Sequence, residues 1–239
     1  MPVRDPGRSA TAVARRAQIV AATIETIAEL GYAQTSFARI AERAELSSTR
    51  LISYHFAGKD ELIQAVVADV HANMARRLGE RLANCADSRG ALAAYIRGVT
   101  GFIAEHRPQM QALMSIFLER QGSERRGAEG QGTERQGTER RGTEGQGTER
   151  QGVERQSAGP AAGYDAGTER EVLGHLQRIL AAGQQAGEFR PFDTFVMAAA
   201  VQRSLDGLPF LLRTEPGLDL GHYAEELVTI FDLATRRTR

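Results

Sequence analysis

Seven consecutive copies of a five-residue unit, QGSER RGAEG QGTER QGTER RGTEG QGTER QGVER, occupy residues 121–155. Arginine and glutamate balance within it, and Val153 is the one apolar side chain larger than alanine. A repeat without an apolar position has no face to stack on its neighbour, which excludes a solenoid. Collagen is excluded as well, because it needs glycine every third residue. A helix would carry a glycine at least every five residues, each costing about 1 kcal/mol relative to alanine. The stretch therefore reads as a solvated, disordered, low-complexity insert over residues 120–163. As a flexible coil it would hold its ends roughly 30–35 Å apart. The core must then be built from the chain on either side. Gly167-Thr168-Glu169-Arg170 repeats the unit once more where helical patterning resumes. Local duplication of that junction, leaving a passive spacer, accounts for the repeat more simply than an interaction tail or a flap over a ligand entrance.

Outside the insert, apolar residues recur every three or four positions and no segment alternates with a period of two, so the chain is expected to be all-α. Val13, Ala17, Val20, Ile24 and Ile27 mark a helix over 12–30 that Gly31 stops. Thr35 or Ser36 can cap a short second helix carrying Phe37, Ile40, Ala41 and Ala44. Ser47 can cap a third that runs to about His55, and Ala57-Gly58 breaks it. Asp60 and Glu61 suit the positive end of a fourth helix reaching about Leu82. Further helices are expected over 89–105, 108–118, 169–186 and 222–235. One continuous, nearly apolar helix is expected from Pro191 or Phe192 to Leu212.

Composition narrows the function classes. Net charge is zero, so any affinity for nucleic acid must come from local clustering. The N-terminus provides one such cluster: Arg4, Arg8, Arg15 and Arg16 face only Asp5. Cys85 is the single cysteine, which excludes an intrachain disulfide and fits a reducing cytoplasm. The N-terminus has no apolar signal core, and the longest apolar run, 195–201, is too short to span a membrane. No paired carboxylates, metal-spaced ligands or phosphate-cradling glycine loop appear, so neither an enzyme, a metal site nor a cofactor is expected.

Two short helices joined by a tight turn, with longer helices before and after, make a helix-turn-helix unit. The second short helix offers Ser47, Ser48, Thr49, Arg50 and Ser53, groups that bond base edges and phosphates. Tyr54 and His55 can reach phosphate oxygens from the same side, while Leu51, Ile52 and Phe56 anchor the helix. Lys59 and its backbone N–H, at the next helix start, are placed to hold a phosphate. The basic arm over 1–11 can lie along the backbone or minor groove. Other readings of Tyr54-His55-Phe56 are weaker. His55 has no second ligand one turn away on its face, and Ser47 lies two turns from it, too far for a nucleophile–base pair. Phe56 reads as core, and Tyr54 can serve both packing and phosphate contact.

The stretch from Gly31 through Thr35-Ser36-Phe37, Ile40-Ala41, Ala44, Leu46-Ser47, Tyr54-His55-Phe56 and Lys59 to Leu62 resembles the DNA-binding domain of the TetR family of transcriptional regulators. The likeness covers roughly residues 12–70. It implies that Ser36 and Phe37 open the supporting helix and that Ser48, Thr49, Arg50 and Tyr54 face DNA. It further implies that His55 touches the backbone or packs, and that Lys59 holds a phosphate. Two departures stand out. Between Leu46 and Phe56 this sequence is one residue longer than the commonest family pattern, and Glu45 occupies a place usually taken by glycine.

From Arg76 onward no motif matches the family. The resemblance implies a helical domain over 73–239 that dimerises, commonly through its last two long helices, and often encloses a small-molecule pocket, behind a DNA-binding domain over 12–72. Polar Gln202, Arg203 and Asp206 interrupt an apolar helix and need partners. With Ala199 they are assigned to a dimer seam, whose other side is Tyr223, Leu227, Ile230 and Phe231. Pocket candidates are Phe102, His106, Met110, Met114, Phe117, His175, Arg178 and Phe195, with Met197; such residues at helical spacing are more often plain core. The expectation is a cytoplasmic homodimer on a roughly palindromic double-stranded DNA operator, a repressor released by a small-molecule effector. A regulator or activator without an effector is the alternative. A helical enzyme and a protein–protein module tethered by the insert rank behind both.

Overall fold

Apolar residues three and four apart put one stripe of each helix inward, and the stripes meet in one continuous core that runs from Ile19 to Phe231. The structure, a computed structural model, describes residues 6–120 and 166–237. Most of the insert expected over 120–163 lies outside the described residues, as does the start of the basic arm. The described residues form helices α1 (Pro6–Leu30), α2 (Phe37–Arg43), α3 (Arg50–His55), α4 (Lys59–Leu82) and α5 (Ser88–Glu105). These are followed by α6 (107–120), α7 (Ala166–Gln185), α8 (Thr194–Asp206), α9 (Leu208–Thr214) and α10 (Leu220–Thr235). Among them there is no strand, only an isolated bridge between Phe189 and Arg236.

Helix α1 is the hub of the N-terminal part, packing against α2, α3 and α4. Gly31, with φ of 80°, ends α1 in a left-handed conformation and returns its N–H to the Ile27 carbonyl at 2.8 Å. Helix α1 starts at Pro6 rather than at residue 12, so it projects beyond the core that begins at Ile19. Helix α4 runs unbroken past residue 72, where the sequence reading divides the two domains, so that divide falls inside a helix.

Helix α5 is the axis of the C-terminal half, packing against α4, α7, α8, α9 and α10. Tyr95, Ile96, Val99, Phe102 and Ile103 fill its buried side. Arg97 pairs with Glu225 at 2.6 Å, and Arg89 with Asp232, joining the exposed edges of α5 and α10. The single helix expected over 191–212 is two. It breaks at Gly207, and Pro209 fits the first turn of α9, where a missing N–H leaves no bond unmade. The stretch Thr194–Thr214 is apolar enough by length and composition to cross a membrane. It is instead divided here and sends Ala198, Val201, Leu205 and Leu208 into the protein core.

Candidate nucleic-acid interface

The turn between α2 and α3 begins as a left-handed helix cap. The Leu46 N–H bonds the Ala41 carbonyl at 2.8 Å, and the Glu45 N–H bonds the Glu42 carbonyl at 3.1 Å. This is the Schellman pattern, and it places Glu45 at φ of 50°. Glycine adopts that conformation without a Cβ clash, which explains why glycine is usual there. The chain then takes residues 47–49 to reach α3. Ser47 is therefore not the cap expected from sequence. Helix α3 begins at Arg50, the Arg50 N–H is held by Ser48 Oγ at 3.1 Å, and Thr49 precedes it without a side-chain cap bond. Helix α3 is six residues, about 9 Å, long.

Ile52 and Phe56 seat α3, both essentially inaccessible, while Leu51 is half-buried. The opposite face carries Arg50, Ser53 and Tyr54, all exposed, and Tyr54 retains 81% of its surface. Ser47, Ser48 and Thr49 are exposed beside them. Solvent-facing tyrosine of this degree is unusual for a side chain with so much apolar area, and it contributes nothing to the core here. His55 is half-buried at the edge, its ring set against Tyr54 at 5.1 Å in a T shape. The His55 carbonyl accepts from Arg16 Nη1 at 2.6 Å; Arg16 also lies 4.1 Å over the Phe56 ring and pairs with Glu61 at 3.2 Å. Arg16 thus clamps the end of α3 to α1 and α4. Ser36 opens α2 as its N-cap, accepting from the Arg39 N–H at 3.4 Å, while Phe37 is half-buried against the core.

Lys59 departs from expectation. Its ammonium donates to the carbonyls of Tyr32 at 3.2 Å and Thr35 at 2.9 Å, and lies 4.2 Å over the Tyr32 ring. An ammonium has three N–H donors, so two are already committed to the α1–α2 turn. The side chain is first a tie within the protein. What it offers a phosphate is the remaining N–H together with the backbone amides at the start of α4. At that start the Glu61 carboxylate accepts from the Ala57 N–H at 2.7 Å, and this bond, with Arg16 beside it, lowers its pKa. The same turn is met from the C-terminal half. Ser115 Oγ of α6 accepts from the Tyr32 N–H at 2.8 Å. Neither Arg16 nor Ser115 was assigned from sequence, because contacts across 39 or 83 residues leave no local spacing to read.

The residues assigned to a pocket divide between core and surface. Phe102, Met110 and Met114 are buried, and His106 stacks on Phe102 at 4.1 Å with rings 5° apart. Phe117 is exposed and meets Phe210 edge-on at 6.2 Å, and Phe195 is exposed on α8. His175 is half-buried, 6.5 Å from the Tyr95 ring, with exposed Arg178 at 3.3 Å. Burial, then the Arg178 charge, lowers the His175 pKa. Three of the residues assigned to a dimer seam turn out to be protomer core: Gln202, Leu227 and Phe231 are buried within one chain. Gln202 accepts from the Tyr95 hydroxyl at 2.8 Å and donates to Asp206 at 2.7 Å. Arg203 is exposed and pairs with Asp206, as its spacing predicts, and with Glu169. Ile230 is exposed, whereas Ala199 and Tyr223 are half-buried. Two apolar stripes on α10 compete to face inward, and only packing decides that Leu220, Ala224, Leu227 and Phe231 do so while Ile230 and Leu233 face out.

The described residues are all-α, and a helix-turn-helix seated this way presents an exposed polar face of the kind that can meet DNA. Residues 19–66 match the sequence model of the bacterial regulatory proteins of the tetR family, and over this domain the chain is similar to them. The HTH-type transcriptional regulator BetI 1 of Chromohalobacter salexigens is 30% identical over 119 residues, covering 43% of this chain and 58% of that protein. BetI of Paraburkholderia xenovorans is 36% identical over 111 residues, covering 44% and 54%. The chain thus matches a little over half the length of these curated relatives. Among solved structures, a TetR transcription regulator from Haloarcula marismortui superposes with a TM-score of 0.67 at 16% identity, covering 94% of this chain and 100% of that one. The regulator FadR from Bacillus subtilis, solved in complex with stearoyl-CoA, gives 0.64 at 17% identity, covering 90% and 96%. At such identities these two likenesses concern the fold.

Proposed function

We propose that the protein is a sequence-specific repressor that binds a roughly palindromic operator as a homodimer in the cytoplasm and leaves it when a small molecule binds the C-terminal helices. The observation that carries this reading is the exposed face of Ser47 to Arg50, Ser53 and Tyr54 on a helix held from behind by Ile52 and Phe56. Two such helices in a dimer would enter successive major grooves about one helical turn apart. The outward apolar residues Phe195, Val196, Ile230 and Leu233, with Ala199 and Arg203, supply the surface for a second copy. The Ser115–Tyr32 bond gives α6 a grip on the α1–α2 turn, so a ligand that prefers one position of α6 biases the spacing of the reading heads. Long-chain acyl-CoA is the first effector to try, since FadR of the same fold was solved with stearoyl-CoA. The division of the pocket residues between core and surface favours a second reading, a regulator without an effector.

The test is fluorescence anisotropy of the full chain on DNA upstream of its own gene, with scrambled competitor at two salt concentrations. Tight, competitor-resistant binding that weakens with salt is expected. Binding abolished by scrambled DNA, with no sequence enriched from a random pool, would remove sequence specificity. A thermal-shift series beginning with long-chain acyl-CoAs separates the two readings, because a ligand of the native state must raise its melting temperature.

A further inference from the structure

We infer that Arg50 reads a guanine in the major groove of each half-site, and that Arg39 of α2 holds a phosphate beside it. This rests on the sequence-specific DNA binding proposed above. The cations around the helix-turn-helix sort themselves by what already holds them. Arg15 donates to Gln18 at 2.8 Å, and Arg16 is shared between the His55 carbonyl and Glu61. Arg43 pairs with Glu29 and Glu25, and Lys59 is tied to two carbonyls. Of the described side chains on α1, α2, α3 and the start of α4, Arg39 and Arg50 remain. Both are exposed, and neither guanidinium has a partner among the described residues.

Position then separates the two. Arg50 is the first residue of α3, with its backbone N–H fixed by Ser48 Oγ, so the root of the side chain is placed while its head is free. Recognition helices touch base edges with their N-terminal residues, whereas the preceding helix crosses the phosphate backbone. Arg50 belongs to the first group and Arg39 to the second. The neighbours sharpen the assignment: Ser47, Ser48, Thr49 and Ser53 are short, so Arg50 and Tyr54 reach farthest from this face. A guanidinium offers two parallel N–H donors, which match O6 and N7 of guanine. Adenine presents a donor where guanine presents O6, and so mismatches. Because α3 begins at Arg50, the arginine occupies the leading position of the reading helix.

The experiment is random-sequence selection with the full-length wild type, Arg50→Ala and Arg39→Ala, followed by titrations of the selected site at several salt concentrations. Both side chains are exposed and unpartnered, and thermal melting checks that each variant keeps its fold. The wild type is expected to select one guanine per half-site by about 5- to 150-fold over other bases. In Arg50→Ala that single preference collapses while the others stay. In Arg39→Ala the selected sequence is unchanged, affinity falls for all sequences, and the salt slope drops by about one per protomer. Replacing that guanine by 7-deazaguanine, which lacks N7, weakens the wild type but not Arg50→Ala. If Arg50→Ala selects the wild-type sequence and merely binds all DNA more weakly, Arg50 is a phosphate holder and the assignment fails while DNA recognition stands. A changed motif in Arg39→Ala overturns its phosphate role. A wild type that enriches no sequence removes this inference together with the proposed function.

Discussion

Glu45 carries its backbone strain in one dihedral. It is the one non-glycine residue at positive φ among the described residues, and it sits at the cap that aims the chain toward α3. A left-handed L-residue costs roughly 1–2 kcal/mol, and glycine gives back about 0.5–1 kcal/mol of that through the freedom it has when unfolded. Glu45→Gly is therefore expected to stabilise the protein by about 0.5–1 kcal/mol, read as a higher denaturant midpoint at constant slope. A lower midpoint would show that the Glu45 side chain contributes more than its backbone costs. The departure from the family pattern at this residue was visible in the sequence; the conformation that makes it matter was not. Tyr54 is the complementary case. Its type permitted either packing or phosphate contact, and its exposure decides that it does not pack in the protein alone.

At the scale of elements, Lys59 is where α4 grips the α1–α2 turn. Charge-assisted bonds to two carbonyls, with an aromatic face beneath the ammonium, amount to about 1–3 kcal/mol for a half-buried group. Lys59→Ala should lower the melting temperature by roughly 2–10 °C, as well as weakening DNA binding at every sequence. Unchanged melting would remove the tie from the account of stability. Most helices were legible because their apolar spacing repeats over several turns, and α4, α5 and α10 end within about two residues of expectation. The misses have local causes. Ser47 has the chemistry of a cap, but the Schellman turn delivers the chain to Arg50 instead. The apolar run before Leu212 looked continuous because Gly207 is a weak break read alone; Pro209 two residues on makes it a complete one.

Across the whole molecule, the core continues from the helix-turn-helix into the C-terminal helices, and α6 meets the α1–α2 turn through Ser115 and Tyr32. Among the described residues none between Ile116 and Leu173 joins the core, and the repeat over 121–155 has no apolar face to bury. Deleting residues 121–157 is accordingly expected to leave melting temperature, dimerisation and DNA affinity nearly unchanged, checked by melting, light scattering and anisotropy on one preparation. A deletion protein that is monomeric or melts several degrees lower would give the repeat a structural part.

What the sequence determined by itself is what short-range physics writes down, helices from a period of three to four and a repeat that cannot build a core, beside a motif of Ile40-Ala41, Tyr54-His55-Phe56 and Lys59 that carries the family resemblance. What only the tertiary structure decided is which of several equivalent groups each contact uses. Lys59 turns to carbonyls, Leu227 and Phe231 turn inward, and Arg16 and Ser115 join parts far apart in the chain. Those choices depend on which faces are left to cover once every other helix is packed, and no local pattern of residues records them.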